Sequence, residues 1–317
     1  MNLTRPIEFI QSLYKAIKML KRLIYQFICI KPINILLRVL LKPFARFLPT
    51  KVINRIPVVG KIQVSVPNSD RILVLTSWGT DPIASSLYWG GLESFEFETF
   101  KLYLQLLKDA KVVFDIGANT GIFALLAAID SPDRQVHAFE PAPKIFSHLQ
   151  KNAAINKLDN LKPVCSALTN YDGDIDLYIP HSLMLPTSSS TLKGFRKAQE
   201  TVKAQALKAD TYVDANQIGL VDLLKIDTEG TEPKVLEGAQ HILVRDEPVI
   251  ICEVLKGRTE SALQAVFYDS RYKFFLITEN GLVHKDNIVG DETYNTRNYL
   301  FITPDKLSKN LSEVIII

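Results

Sequence analysis

Val112-Val113-Phe114-Asp115-Ile116-Gly117-Ala118-Asn119-Thr120-Gly121 decides how the rest of the chain is read. A short apolar run over Lys111–Ile116, expected as a strand, carries an acid near its end. Glycines then turn the chain into an apolar stretch, Gly121–Ile129, expected as a helix. Further along, Gln135–Phe139 reads as a second strand and Pro143–Asn156 as a second helix. The strand Asp222–Ile226, the helix Glu232–Leu243 and the strand Pro248–Glu253 follow, and Tyr272–Thr278 and Asn298–Thr303 are strand-like. Alternating strands and helices predict an α/β fold, a doubly wound and mostly parallel sheet covered by helices on both faces.

Upstream the pattern differs. Lys61–Val66 and Arg71–Leu75 flank Pro67-Asn68-Ser69-Asp70 and read as a β-hairpin. In Glu93–Leu107, Phe97, Phe100, Leu104 and Leu107 recur at helical spacing. Ile7, Ile10, Tyr14, Ile17, Leu20, Ile24 and Ile28 form one helical face, with Lys15, Lys18 and Arg22 opposite and Lys21 leaning toward the apolar side. Pro32 should end that helix, and a second apolar-basic stretch, Ile33–Leu48, runs up to Pro49. The Ser/Thr-rich patch Thr187–Thr191 reads as a loop.

In an open α/β sheet, ligands bind beyond the carboxyl ends of the strands. Gly117 and Gly121 would let backbone approach a ligand closely. Glu140, in Phe139-Glu140-Pro141, lies about 20 residues past the turn, where a carboxylate can take both hydroxyls of a ribose. A dinucleotide would need a further glycine where Asn119 stands, so that pyrophosphate could rest on the helix N-terminus, and Asp115 would oppose that phosphate. S-adenosylmethionine carries a sulfonium and an ammonium instead, which suit an acid at a strand end. A second such edge is Asp222-Leu223-Leu224-Lys225-Ile226-Asp227-Thr228-Glu229-Gly230, with Pro233 fitted to the first turn of the next helix. Glu229 could instead cap that helix or pair with Lys225. Val249-Ile250-Ile251-Cys252-Glu253 is a third apolar strand ending in an acid, which could equally be a surface carboxylate.

FDIGANTG (114–121), HAFEPAPKIFSHLQKN (137–152), LLKIDTEGTEPKVLEGA (223–239) and IICEV (250–254), in this order and spacing, resemble the FkbM-type methyltransferase family. The resemblance covers residues 111–303. It implies a class I methyltransferase (Rossmann-like) fold of seven strands with the last antiparallel, S-adenosylmethionine as cofactor, and O-methylation of a hydroxyl on a sugar, glycan or other secondary metabolite. Asn152 and Asn156 match favoured family positions, and Thr231 departs mildly from the pattern. The cofactor is expected on Asp115, Gly117, Asn119, Gly121, Glu140, Ser166, Ala167 and Asp227, with adenine near Ser166-Ala167-Leu168. An alcohol needs a positioned base. Asp227 or Glu229 is expected in that role, with His181 and His241 as alternatives. Asp/Glu pairs could hold a divalent metal, but no ligand spacing supports one, and none is expected.

The 47% apolar content can furnish a core. Residues 1–50 hold nine basic side chains against Glu8, an excess of +8 that leaves −5 elsewhere for the net +3. That basic end suggests an anionic partner, and peripheral membrane contact through residues 1–48 is one expectation, an accessory helical pair the other. Lys or Arg interrupts each apolar run there, and no cleavage-like site follows one, so neither a spanning helix nor a signal peptide is expected. Cys29, Cys165 and Cys252 form no CxxC pair, which fits a cytoplasmic chain, membrane-associated or not. The expected organisation is 1–50 helical extension, 51–110 hairpin and helix, 111–304 catalytic domain and 305–317 tail. A small-molecule or glycan acceptor is expected. Nucleic acid is not, since the body lacks a basic stripe with interleaved aromatics. An NAD-type oxidoreductase and a non-catalytic cofactor-binding scaffold are the competing readings.

Overall fold

The structure is a computed structural model that describes residues 4–54, 56–66, 70–180, 189–193, 198–311 and 316–317. In chain order its elements are α1 (Thr4–Ile28), α2 (Lys31–Leu41), α3 (Thr50–Ile53), β1 (Val59–Ser65), β2 (Ile72–Trp78), α4 (Pro82–Gly90), α5 (Phe97–Leu106), β3 (Val112–Ile116), α6 (Ile122–Asp130), β4 (Gln135–Phe139) and α7 (Pro143–Ile155). There follow β5 (Leu161–Val164), β6 (Ala167–Leu168), β7 (Gly173–Pro180), β8 (Ala198–Leu207), α8 (Ala209–Ala215), β9 (Leu223–Ile226), α9 (Glu232–Glu237), α10 (Gln240–Arg245), β10 (Val249–Glu253), α11 (Glu260–Val266), β11 (Lys273–Thr278), β12 (Gly281–Lys285), β13 (Asn298–Ile302) and α12 (Pro304–Asn310). The chain divides into two compact units, the smaller mainly Met1–Val64 with Leu75–Phe95, the larger mainly Glu96–His181 with Pro186–Ile317.

The larger unit is built on an eight-stranded sheet in the order β12-β11-β13-β10-β9-β3-β4-β5. β4, β3, β9 and β10 pair in parallel, while β13 runs antiparallel to β10 and β11. This is the class I order, with the last strand reversed as expected. The strand beyond seven is β12, which returns antiparallel from β11. Asn280-Gly281, a hairpin-type dipeptide at that return, was the unused signal for it. All four residues of β9 are buried, as are the last four of β3, because helices cover both faces. The core runs from Phe114, Phe139 and Leu224 through Val235, Leu236 and Ile250 to Phe274 and Phe301.

Other expectations change as well. The single helix Glu232–Leu243 is two, α9 and α10, broken at Gly238-Ala239. A Cβ on Gly238 would lie 2.0 Å from the Thr169 carbonyl oxygen, so the chain there is pressed against the 169–170 backbone. Asp210 then accepts the His241 and Ile242 N–H groups and starts α10 anew. The helix expected over Glu93–Leu107 begins only at Phe97, with Glu96 in a left-handed conformation at φ 44°. β7 and β8 pair antiparallel, and with β6 they make a three-stranded sheet for which the sequence reading had no strands. Ser190, in the patch read as a loop, exchanges two backbone hydrogen bonds with Tyr178 of β7. Pro67–Ser69, the expected hairpin turn, lies outside the described residues.

In the smaller unit, α1 ends at Ile28 and Pro32 sits in the first turn of α2. Asn34 of α2 is fully buried. Its amide donates to the Pro57 carbonyl (2.8 Å) and the Ile28 carbonyl (3.0 Å) and accepts the Val59 N–H (2.9 Å).

Candidate active site

A cleft opens beyond the carboxyl ends of β3, β4 and β9, where the chain reverses its direction of winding. Gly117 is the pivot. Its φ is +80°, and a Cβ there would stand 1.9 Å from the Asp227 carbonyl oxygen. The loops after β3 and β9 can close on each other only because residue 117 has no side chain. Gly117 and Ala118 both donate their N–H groups to the Phe139 carbonyl, tying the same loop to β4.

Asn119 occupies the position where a dinucleotide fingerprint would have glycine. It is left-handed at φ 52°, a region asparagine tolerates. Its side-chain oxygen accepts the Thr120 N–H (2.8 Å), and its own N–H donates to Glu140 (3.0 Å). The other Glu140 oxygen accepts the Ala142 N–H at 2.8 Å. Burial pushes the Glu140 carboxyl up to about 7, against the pull of these two N–H groups. Below the loop, Asn152 of α7 donates to the Thr120 carbonyl (3.0 Å), and Asn156 bonds both backbone groups of Val74.

On the other wall, the N–H of Asp227 donates to the Ile116 carbonyl (2.9 Å), and its carboxylate lies 3.4 Å from the Lys225 ammonium. Thr228, Glu229 and Thr231 complete the turn and line the cleft. Glu229 is left-handed at φ 55°, and its carbonyl accepts the Ser190 hydroxyl at 2.8 Å. The capping role considered for Glu229 belongs to Glu232. Its carboxylate accepts the N–H groups of Thr228 (2.9 Å) and Gly230 (3.0 Å) and the Thr228 hydroxyl. Pairing with Lys225 falls to Asp227.

Gly117, Asn119, Glu140, Ser166, Ala167, Asp227 and Glu229 therefore share one cleft, with Phe139, Ile145, Leu168 and Leu177 as its apolar lining. Asp115 and Gly121 do not line it. Asp115 is buried, registers beside Lys225 across β3 and β9, and accepts the Ala124 N–H (2.9 Å) at the start of α6. Burial raises its carboxyl to about 7, opposed by Lys225 and that N–H. The position near a strand end that suggested a ligand contact places Asp115 under the helix instead. Gly121 serves packing: at φ +95°, a Cβ would lie 2.3 Å from the Leu149 side chain of α7. Glu253 bonds Arg297 at 2.7 Å and is not among the cleft-lining residues. His241 is exposed on α10, and His181 lies outside the described residues.

Beneath the cleft is a charge cluster that sequence reasoning missed. Lys225 is 1% exposed, with its ammonium 4.9 Å from the centre of the Phe123 ring. Burial alone would lower its pKa, but Asp227, Glu96, Asp115 and Glu253 together raise it above the ordinary lysine value. Glu96 enters from the start of α5 and bonds the Asn298 amide at 2.9 Å. Burial pushes its carboxyl up, with Lys225 opposing. A buried lysine in an apolar strand flanked by acids was the available signal.

The FkbM methyltransferase domain family matches residues 115–278. The 31-O-demethyl-FK506 methyltransferase FkbM of Streptomyces tacrolimicus is 27% identical over 159 residues, 42% of this chain and 61% of that protein. Methyltransferase sdnD of Sordaria araneosa is 31% identical over 156 residues, 41% of this chain and 60% of that protein. The hexuronic acid methyltransferase AglP of Haloferax volcanii is 27% identical over 156 residues, 49% of this chain and 61% of that protein. The chain thus spans about three fifths of the length of these curated relatives. With the match extending over more than half its length, and with a class I sheet carrying the quoted motifs on one edge, this chain belongs to the FkbM methyltransferase domain family.

Proposed function

We propose that this chain is an S-adenosylmethionine-dependent O-methyltransferase acting on a hydroxyl of a sugar, a glycan or another secondary metabolite. The observation that carries this reading is Glu140. It is a buried carboxyl fixed by two backbone N–H groups at the end of β4, inside a cleft whose opposite wall carries Asp227 and Glu229. Each Glu140 oxygen keeps a lone pair for one hydroxyl of a ribose. Phe139, Ile145, Leu168 and Leu177 suit an adenine, and Asp227 suits a cation. The absence of a side chain at Gly117 lets the Asp227 loop close on this turn, which brings the two walls of the cleft together.

S-adenosylmethionine supplies a methyl group activated by a sulfonium. The residues of this chain must orient the acceptor, exclude water and take a proton. Asp227 or Glu229 accepts the acceptor hydroxyl proton as that oxygen forms its bond to carbon, and the electron pair of the broken C–S bond stays on sulfur. A hexuronic acid is the relative-inspired first acceptor to test.

Calorimetric titration with S-adenosylmethionine, S-adenosylhomocysteine and NAD tests the cofactor. Binding of the two adenosyl compounds without NAD is expected. Binding of none of them would return the chain to a scaffold reading, and binding of NAD alone to an oxidoreductase. Transfer of labelled methyl to hexuronic acids and neutral sugars then tests the acceptor.

A further inference from the structure

The smaller unit carries a helix whose amphipathicity is inverted. A helix packed against a folded body in water buries its apolar stripe and exposes its polar one. α2 does the reverse. The residues it buries are Asn34 and Arg38, one turn apart on the inward face. Asn34 makes the three hydrogen bonds described above. Arg38 donates to the Val59 carbonyl at 3.1 Å and stacks 4.8 Å from the Tyr88 ring centre. The outward face carries Leu36, Val39 and Leu40, each about 60% exposed, and Ile35 and Phe44 continue it.

α1 adds to this surface. Along it Tyr14, Ile17, Leu20 and Ile24 of the apolar face are exposed, and Leu13 and Phe27 beside them are exposed as well. Lys15, Lys18 and Arg22 stand exposed opposite, Lys31 opens α2 and Lys42 follows it. Among the described residues no single helix is long and apolar enough to cross a membrane. The stretches Ser12–Ile28 and Lys31–Ala45 together have the composition, but they meet at 86°.

We infer that α1 and α2 lie in the surface of an anionic bilayer, the apolar faces among the acyl chains and the lysines and arginines at the headgroups. The polar anchoring of α2 decides for lipid over a water-exposed accessory pair. Its apolar face is held outward by buried, directional hydrogen bonds, so it cannot simply rotate inward. The excess of +8 over residues 1–50 supplies complementarity to acidic headgroups. This inference is independent of the reaction catalysed.

The test is flotation of the full chain with vesicles of phosphatidylcholine alone and of phosphatidylcholine with phosphatidylglycerol. Binding to the anionic vesicles, weakened by salt, is expected. The combined variant Leu36→Glu, Val39→Glu, Leu40→Glu should lower partitioning on the order of tenfold or more at an unchanged melting temperature. Lys15→Glu, Lys18→Glu, Arg22→Glu should abolish the preference for anionic lipid. Absence of binding to either vesicle would overturn the inference. Equal binding of the parent chain to both would overturn the anionic assignment. A dimer that the first variant converts to a monomer, with no vesicle binding, would assign the face to a second copy of this chain.

Discussion

Replacing Lys225 with methionine leaves the acids of the buried cluster without their central cation. The Lys225–Asp227 separation of 3.4 Å corresponds to about 5 kcal/mol at an effective dielectric constant near 20. The Asp227 side chain is 32% exposed, so water screens part of this, and about 3 kcal/mol is the reasoned loss near pH 8. The pH dependence is the sharper signature. Asp115 and Glu140 already have carboxyls raised to about 7, so the folded chain binds protons that the unfolded chain releases near pH 4. Their contribution to stability is therefore full below the ordinary carboxylate range and is lost as pH rises through about 7. Without Lys225, Asp115 and Glu96 shift further upward and that loss steepens. Urea unfolding of both chains at pH 5 and pH 8 measures this, and the destabilisation should be large at pH 8 and small or reversed at pH 5. Equal destabilisation at both pH values would mean that only packing against Phe123 was lost and would refute the electrostatic account.

Glu140→Gln should weaken S-adenosylmethionine binding by roughly ten- to a hundredfold, the size of a lost charged hydrogen bond. It should also remove the fall in affinity expected for the parent chain below pH 7, both readable by calorimetry. Gly117→Ala should abolish cofactor binding, since its Cβ meets the Asp227 backbone. Gly121→Ala should instead lower stability by about 2–4 kcal/mol in denaturant titrations while cofactor affinity changes little, because Gly121 faces Leu149 rather than the cleft. Asn34→Ala strands three backbone groups, at about 1–3 kcal/mol for each one left buried and unsatisfied, and should cost a few kcal/mol in thermal or chemical unfolding.

The α/β order, the glycine turn and the placing of Gly117, Glu140, Asp227 and Glu229 at strand ends were legible from local pattern. A buried parallel strand must be apolar along its length, and a ligand edge must place its polar residues where such strands end. For the same reason the sequence left open which way Asp115 and Glu253 turn, since a strand-end carboxylate looks alike whether it faces a ligand or a neighbouring element. Position along the chain does not carry direction across it. Only the tertiary structure assigned Asp115 to the start of α6, Gly121 to the α6–α7 contact and Glu253 to Arg297. It also gathered Glu96, Asp115, Lys225 and Asp227 from distant positions into one electrostatic unit, because charge interactions depend on separation in space. In α2 the sequence displayed an apolar face and a polar face, but which of them turns inward was decided by the partners waiting for Asn34 at Pro57 and Val59.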